Sequence, residues 1–107
     1  MYLVRRIFNT KPGEARRVAS LIHKQAQMYR DAGHRSEFKV YFNGGTLPGE
    51  TNFVVLDWTE EAIMSPMREG NNIPEEVLAA GRAALEYVES SRIEFMELLT
   101  PDKMMDA

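Results

Sequence analysis

Asp57 stands between Leu56 and Trp58 at the end of residues 51–58, Thr-Asn-Phe-Val-Val-Leu-Asp-Trp. On the alternation of a strand it shares a face with Phe53 and Val55, which is costly for a carboxylate unless the charge is paired. Two readings follow. Asp57 is a structural group, either half of an ion pair with Arg5 or Arg6 of a neighbouring strand or a helix-entry cap. Alternatively it is a perturbed acid or base in a pocket. In the second reading Asp57, Tyr41 and Arg5 are the candidate catalytic groups, able to orient a phenol or an enolate beside Trp58 and Tyr29.

Other residue types offer less. His23 and His34 are the only histidines. His23 falls on the wet side of its helical wheel, and His34 follows Gly33, where an imidazolium favours a helix C-terminus. Ala80, Gly81 and Ala84 put small residues at the centre of an apolar stripe. They allow either a close approach of helix and sheet or a space between them. Met64, Met67, Met104 and Met105 are adaptable apolar groups near loops and the tail, and residues 68–72 read as a connector or a flap. No Gly-rich phosphate loop, metal-ligand cluster or nucleophile elbow occurs. No cofactor and no metal are therefore expected.

Composition narrows the classes. The chain has 107 residues, which suits one domain spanning 1–107 with its core in 2–99. It is 44% hydrophobic and 27% charged, as ordinary globular proteins are. A net charge of -3 leaves no basic footprint for nucleic acid. With no cysteine, disulfides and thiolate chemistry are out, which fits a reducing compartment. No signal-peptide pattern or membrane-length apolar run appears, so the expected location is cytoplasmic.

Strands and helices that carry these residues follow one another regularly. Residues 2–9 form a strand with Tyr2, Val4, Arg6 and Phe8 on one face and Leu3, Arg5 and Ile7 on the other. Thr10, Pro12 and Gly13 lead into a helix to about Ala32, stopped by Gly33, with its stripe at Val18, Leu21, Ile22, Met28, Tyr29 and Ala32. Residues 36–43 alternate cleanly, with Phe38, Val40 and Phe42 against Glu37, Lys39 and Tyr41, as an edge strand does. A Gly- and Pro-rich connection over 44–50 leads to the strand 51–58, which is apolar on both faces and so belongs in the middle of a sheet. A short helix is expected at 60–64 and a second long helix at 74–89. The last strand is expected at 92–99, with a polar tail over 100–107.

Strand, helix, strand, strand, helix, strand is the α+β, ferredoxin-like βαββαβ order, with a four-stranded antiparallel sheet. Right-handed crossovers put both long helices on one face. The other face still carries large apolar side chains, more than monomers normally expose. A second copy packed face to face with two-fold symmetry would cover it, so the expected partner is the chain itself.

This pattern resembles the dimeric α+β barrel superfamily, which includes antibiotic-biosynthesis monooxygenase-like and NIPSNAP-like domains. The matching features are the strand 2–9, the Lys11-Pro12-Gly13 helix entry, and the strand ending Leu56-Asp57-Trp58. They extend over residues 2–99. The resemblance implies a homodimer. It also implies a small apolar or aromatic ligand between helices and sheet, bound or oxidised without metal or bound flavin. Tyr29, Phe38, Phe42, Trp58, Gly81 and Tyr87 would line that space. Haem-degrading members carry an axial histidine on the second long helix; residues 74–89 have none, which argues against haem chemistry. The rival expectation is a non-catalytic dimeric binding or interaction module.

Overall fold

A computed structural model describes residues 1–33, 37–64 and 72–106. These residues form β1 (Tyr2–Thr10), α1 (Ala15–Asp31), β2 (Phe38–Asn43), β3 (Phe53–Glu60), α2 (Glu75–Leu85), β4 (Val88–Glu97) and a 3-10 turn, Pro101–Lys103. The strands make one antiparallel sheet in the order β2-β3-β1-β4. This is the ferredoxin-like βαββαβ arrangement, and β1 and β3 are central, as strands apolar on both faces must be.

Register fixes which residues share a face. Phe8 lies opposite Val54, Arg6 opposite Leu56, and Val4 opposite Trp58. Trp58 lies opposite Phe38, and Leu56 opposite Val40. These positions face the helices. The core joins Phe8, Val54 and Leu56 to Ala15, Val18, Ala19, Ile22 and Ala26 of α1 and Ala84 of α2. Alanines at 15, 19 and 26 bring α1 close to the sheet. They form the buried stripe with Val18 and Ile22, at three-four spacing. Met28 and Tyr29, expected on that stripe, are half-buried, and Ala32 is exposed.

Several boundaries depart from the sequence reading. The first helix begins at Ala15, not at Pro12, and Glu14 is its N-cap, its side chain making no capping hydrogen bond but pairing with Arg17 at 3.0 Å. Thr10 is no cap: it is the buried end of β1, its hydroxyl donating to the Lys11 carbonyl at 3.1 Å. Thr59 and Glu60 continue β3 instead of opening a helix, because Leu3 and Tyr2 of β1 pair with them; residues 61–64 are not helical. The second helix stops at Leu85, and Val88 already belongs to β4, four residues earlier than expected. The cause is the Tyr87 carbonyl, which accepts the Lys11 N–H at 2.9 Å and ties the chain to the end of β1. His34, Ser36, the Ser65-Pro66 break, Met67 and the connector 68–71 lie outside the described residues.

Side chains of asparagine shape the turns. Asn43 Nδ2 donates to the carbonyls of Leu47 and Glu50, at 3.1 and 3.0 Å, while its Oδ1 accepts the Gly45 N–H at 2.9 Å. Asn52, in the left-handed region at φ 56°, accepts the Gly13 N–H at 3.1 Å, joining the β2–β3 connection to the entry of α1. Two layers make a flat body of 46 × 41 × 19 Å. No described helix is long and apolar enough to cross a membrane.

Candidate functional site

The sequence candidates divide between the two faces of one sheet. Asp57, Tyr41 and Arg5 lie on the open face, away from the helices. Tyr29, Phe38, Trp58, Gly81 and Tyr87 belong to the helix side. Phe42 also points that way but sits at the rim, 48% exposed. One chain therefore does not bring the candidate catalytic group and the candidate lining group into a single pocket.

On the open face, Asp57 lies opposite Arg5 on one side and Lys39 on the other. Arg5 lies opposite Glu94 of β4. Strand parity thus selects Arg5, not Arg6, as the cross-strand neighbour of Asp57. The two are adjacent without closing an ion pair, and Arg5 Nε is buried with no hydrogen-bond partner among the described residues. Around this row stand Leu3, Phe53 and Val55, half-buried, Ile7, buried, and Tyr41 and Met96, exposed.

On the helix side the small stripe of α2 turns toward the other helix. A Cβ on Gly81 would collide with Gln25 Nε2, and that amide donates to the Val77 carbonyl at 3.4 Å. Gly81 therefore permits a close helix–helix approach at Gln25. Ala84 is fully buried in the core. Tyr87 is engaged too: Arg17 donates to its hydroxyl at 3.3 Å and lies 5.0 Å from its ring centroid. Those contacts raise the Arg17 pKa above its usual value, with the tyrosine hydrogen bond the main cause. Trp58 donates from Nε1 to Glu60 at 2.9 Å. His23 is exposed, but its ring meets Phe38 edge-on at 5.0 Å.

One residue outside the candidate set stands out here. Arg6 is half-buried on the helix side of β1, between Leu56 of β3 and Ile93 of β4. Its guanidinium lies 5.1 Å from the Phe8 ring centroid, and no described carboxylate pairs with it. Burial pushes its pKa below the usual arginine range, and the nearby Tyr29 oxygen offsets part of that shift. α2 packs chiefly on α1 and touches β4 only slightly, so Ile93 and Phe95 beside Arg6 remain 49% and 48% exposed. The sign of Arg6 in the sequence is a lone cation on the otherwise apolar face Tyr2, Val4, Phe8. A shallow, open depression at the far end of β1, lined by Asn9, Asn52, Glu50 and Glu89 among others, contains none of the candidates.

No protein-family model and no curated protein matches the sequence. Solved structures match the fold. A NIPSNAP family protein from Agrobacterium tumefaciens superposes with a TM-score of 0.66 at 16% identity, over 94% of this chain and 93% of that one. An uncharacterised NIPSNAP domain protein from Burkholderia xenovorans gives 0.63 at 16% identity, over 94% and 97%. An antibiotic biosynthesis monooxygenase gives 0.63 at 12% identity, over 94% of this chain and all of the other. The fold of this chain is thus the one shared by those proteins.

Proposed function

We propose that the chain works as a homodimer built through its open sheet face, and that the helix side of each sheet binds a small apolar molecule carrying an acidic or enolic oxygen. The observation that carries this reading is the partition of side chains across the sheet. One face holds a charged row among apolar residues and neither described helix covers it. The other holds a desolvated guanidinium, Arg6, beside aromatic rings and the exposed apolar strip Ile93 and Phe95. A half-buried cation with no counter-ion among the described residues is costly, and a ligand anion would relieve that cost. Half-buried Tyr29 and Trp58, with exposed Ile93 and Phe95, supply apolar and aromatic surface for the rest of such a molecule.

The likeness to a monooxygenase invites an oxidation reading. Asp57, Tyr41 and Arg5, however, face away from Arg6 and Trp58, so the geometry favours binding over that chemistry. Trp58 provides the assay. Titration with 1-naphthoate should change its fluorescence saturably, 1-naphthalenemethanol should bind more weakly, and Arg6→Met should abolish the preference while remaining folded. Equal response to the acid and the alcohol, or none to either, would overturn the ligand reading.

A further inference from the structure

We propose that the row Lys39, Asp57, Arg5 and Glu94 keys two copies of the sheet together, with the two-fold axis running along the strands between β1 and β3. This rests on the homodimer proposed above and specifies its geometry. The row takes one side chain from each strand in the order β2-β3-β1-β4, and residues directly opposite one another share a face. The charges therefore alternate across the whole open face: plus, minus, plus, minus.

Two sheets packed face to face as a symmetric pair need a two-fold axis in the plane between them. Only two directions matter. An axis along the row, across the strands, would set each charge against its own copy and stack four like-charged pairs. An axis along the strands reverses the row. Plus, minus, plus, minus then meets minus, plus, minus, plus. Lys39 faces the partner's Glu94, and Asp57 faces the partner's Arg5; symmetry repeats both pairs. The next row of the same face, Tyr41, Val55, Ile7 and Arg92, obeys the same operation. Tyr41 meets the partner's Arg92 as a ring and a cation, and Val55 meets the partner's Ile7.

The dimensions permit this. Aligned sheets lie about 10 Å apart and cross at about 30°, and an acidic and a basic side chain reaching from opposite sheets span such a gap. The row is also free to pair. Lys39, Asp57 and Arg5 close no ion pair among the described residues, and the buried Arg5 Nε lacks a partner there. Glu94 has only a 3.8 Å contact to Arg92 of its own strand. Such a row contributes more to orientation and to rejection of wrong partners than to affinity.

Charge exchange at the two ends of the row tests this on the full chain. Lys39→Glu sets a carboxylate against the partner's Glu94 twice per dimer, and Glu94→Lys sets two ammonium groups together twice. Each single variant should weaken its homodimer about tenfold or more. An equimolar mixture of the two should recover a heterodimer close to the parent in affinity and exclude both homodimers. The double variant Lys39→Glu/Glu94→Lys should dimerise with itself again, although it keeps every like-charge neighbour that the single changes create within one chain. Sedimentation velocity reads the affinities, and native mass spectrometry reads the pairing. Statistical mixing, or a double variant weaker than either single, would overturn the proposed axis while leaving the dimer standing. A monomeric parent would overturn the dimer itself.

Discussion

Replacing Arg6 with methionine should stabilise the fold while removing ligand discrimination. Arg6 is half-buried, and its guanidinium has an aromatic face but no described carboxylate for company. Methionine keeps most of the stem that packs between Leu56 and Ile93. The change gives up a cation–π contact of about 0.5–1 kcal/mol at a partly solvated site. It also removes a desolvated charge; apolar replacement of a fully buried ion pair ranges from neutral to about 1–4 kcal/mol stabilising, which bounds the gain from removing one charge. Taking the lower part of that range for a half-buried group, the net expectation is stabilisation of roughly 0–2 kcal/mol. In a chain of this size 1 kcal/mol moves Tm by about 4–8 °C. Urea unfolding of parent and variant at one protomer concentration measures it, since dimer stability depends on concentration. A loss of more than about 1 kcal/mol would instead show that Arg6 holds the fold together through a partner.

Other changes probe the helix packing and the tail. Gly81→Ala alone should be nearly neutral, its gain in helix propensity of about 1 kcal/mol offset by displacement of Gln25 from the Val77 carbonyl. Adding Gln25→Ala should release that gain, and thermal melts of the single and double variants would show no coupling if the contact is irrelevant. His23→Ala should cost about 0.5–1 kcal/mol, since only the edge-on contact with Phe38 is lost from an exposed site; a larger loss in urea would place His23 in the core. The ion pair of Lys103 with Glu97, at 2.8 Å, lowers the Glu97 pKa and raises that of Lys103, in both cases chiefly through the hydrogen bond. Its contribution is therefore present across neutral pH. It is lost as pH falls through the lowered Glu97 value and, separately, as pH rises through the raised Lys103 value. Protection of the Lys103 and Met104 amides, measured as exchange relative to the intrinsic rate at each pH, should fall between pH 7 and about pH 3, and unchanged protection would show that the turn holds without the pair.

Much of the fold was legible because it rests on local pattern. Two-sided apolar runs at 2–9 and 51–58 marked the central strands, and the alternation through Phe38, Val40 and Phe42 marked an edge. Boundaries failed where the controlling contact is distant in sequence. Tyr87 and Val88 suit a helical stripe as well as a strand, and the Lys11 bond to the Tyr87 carbonyl decides between them. Thr59 and Glu60 likewise follow β1, to which no local signal points. The sites were harder still. Alternation shows which residues of one strand share a face but not which faces coincide between strands. Only the register separates Asp57, Tyr41 and Arg5 from Trp58 and Phe38, and only it aligns Lys39, Asp57, Arg5 and Glu94 into one row.

In the proposed homodimer the open sheet face of one chain is covered by the same face of a second. Tyr41 and Met96 on that face, 52% and 40% exposed, are expected to become buried in an interface of at least roughly 1,000 Å2. Sedimentation velocity of the parent chain at micromolar concentration tests this most directly. The proposed homodimer gives a single species of two 12.2 kDa copies; a clean monomer at that concentration would rule it out.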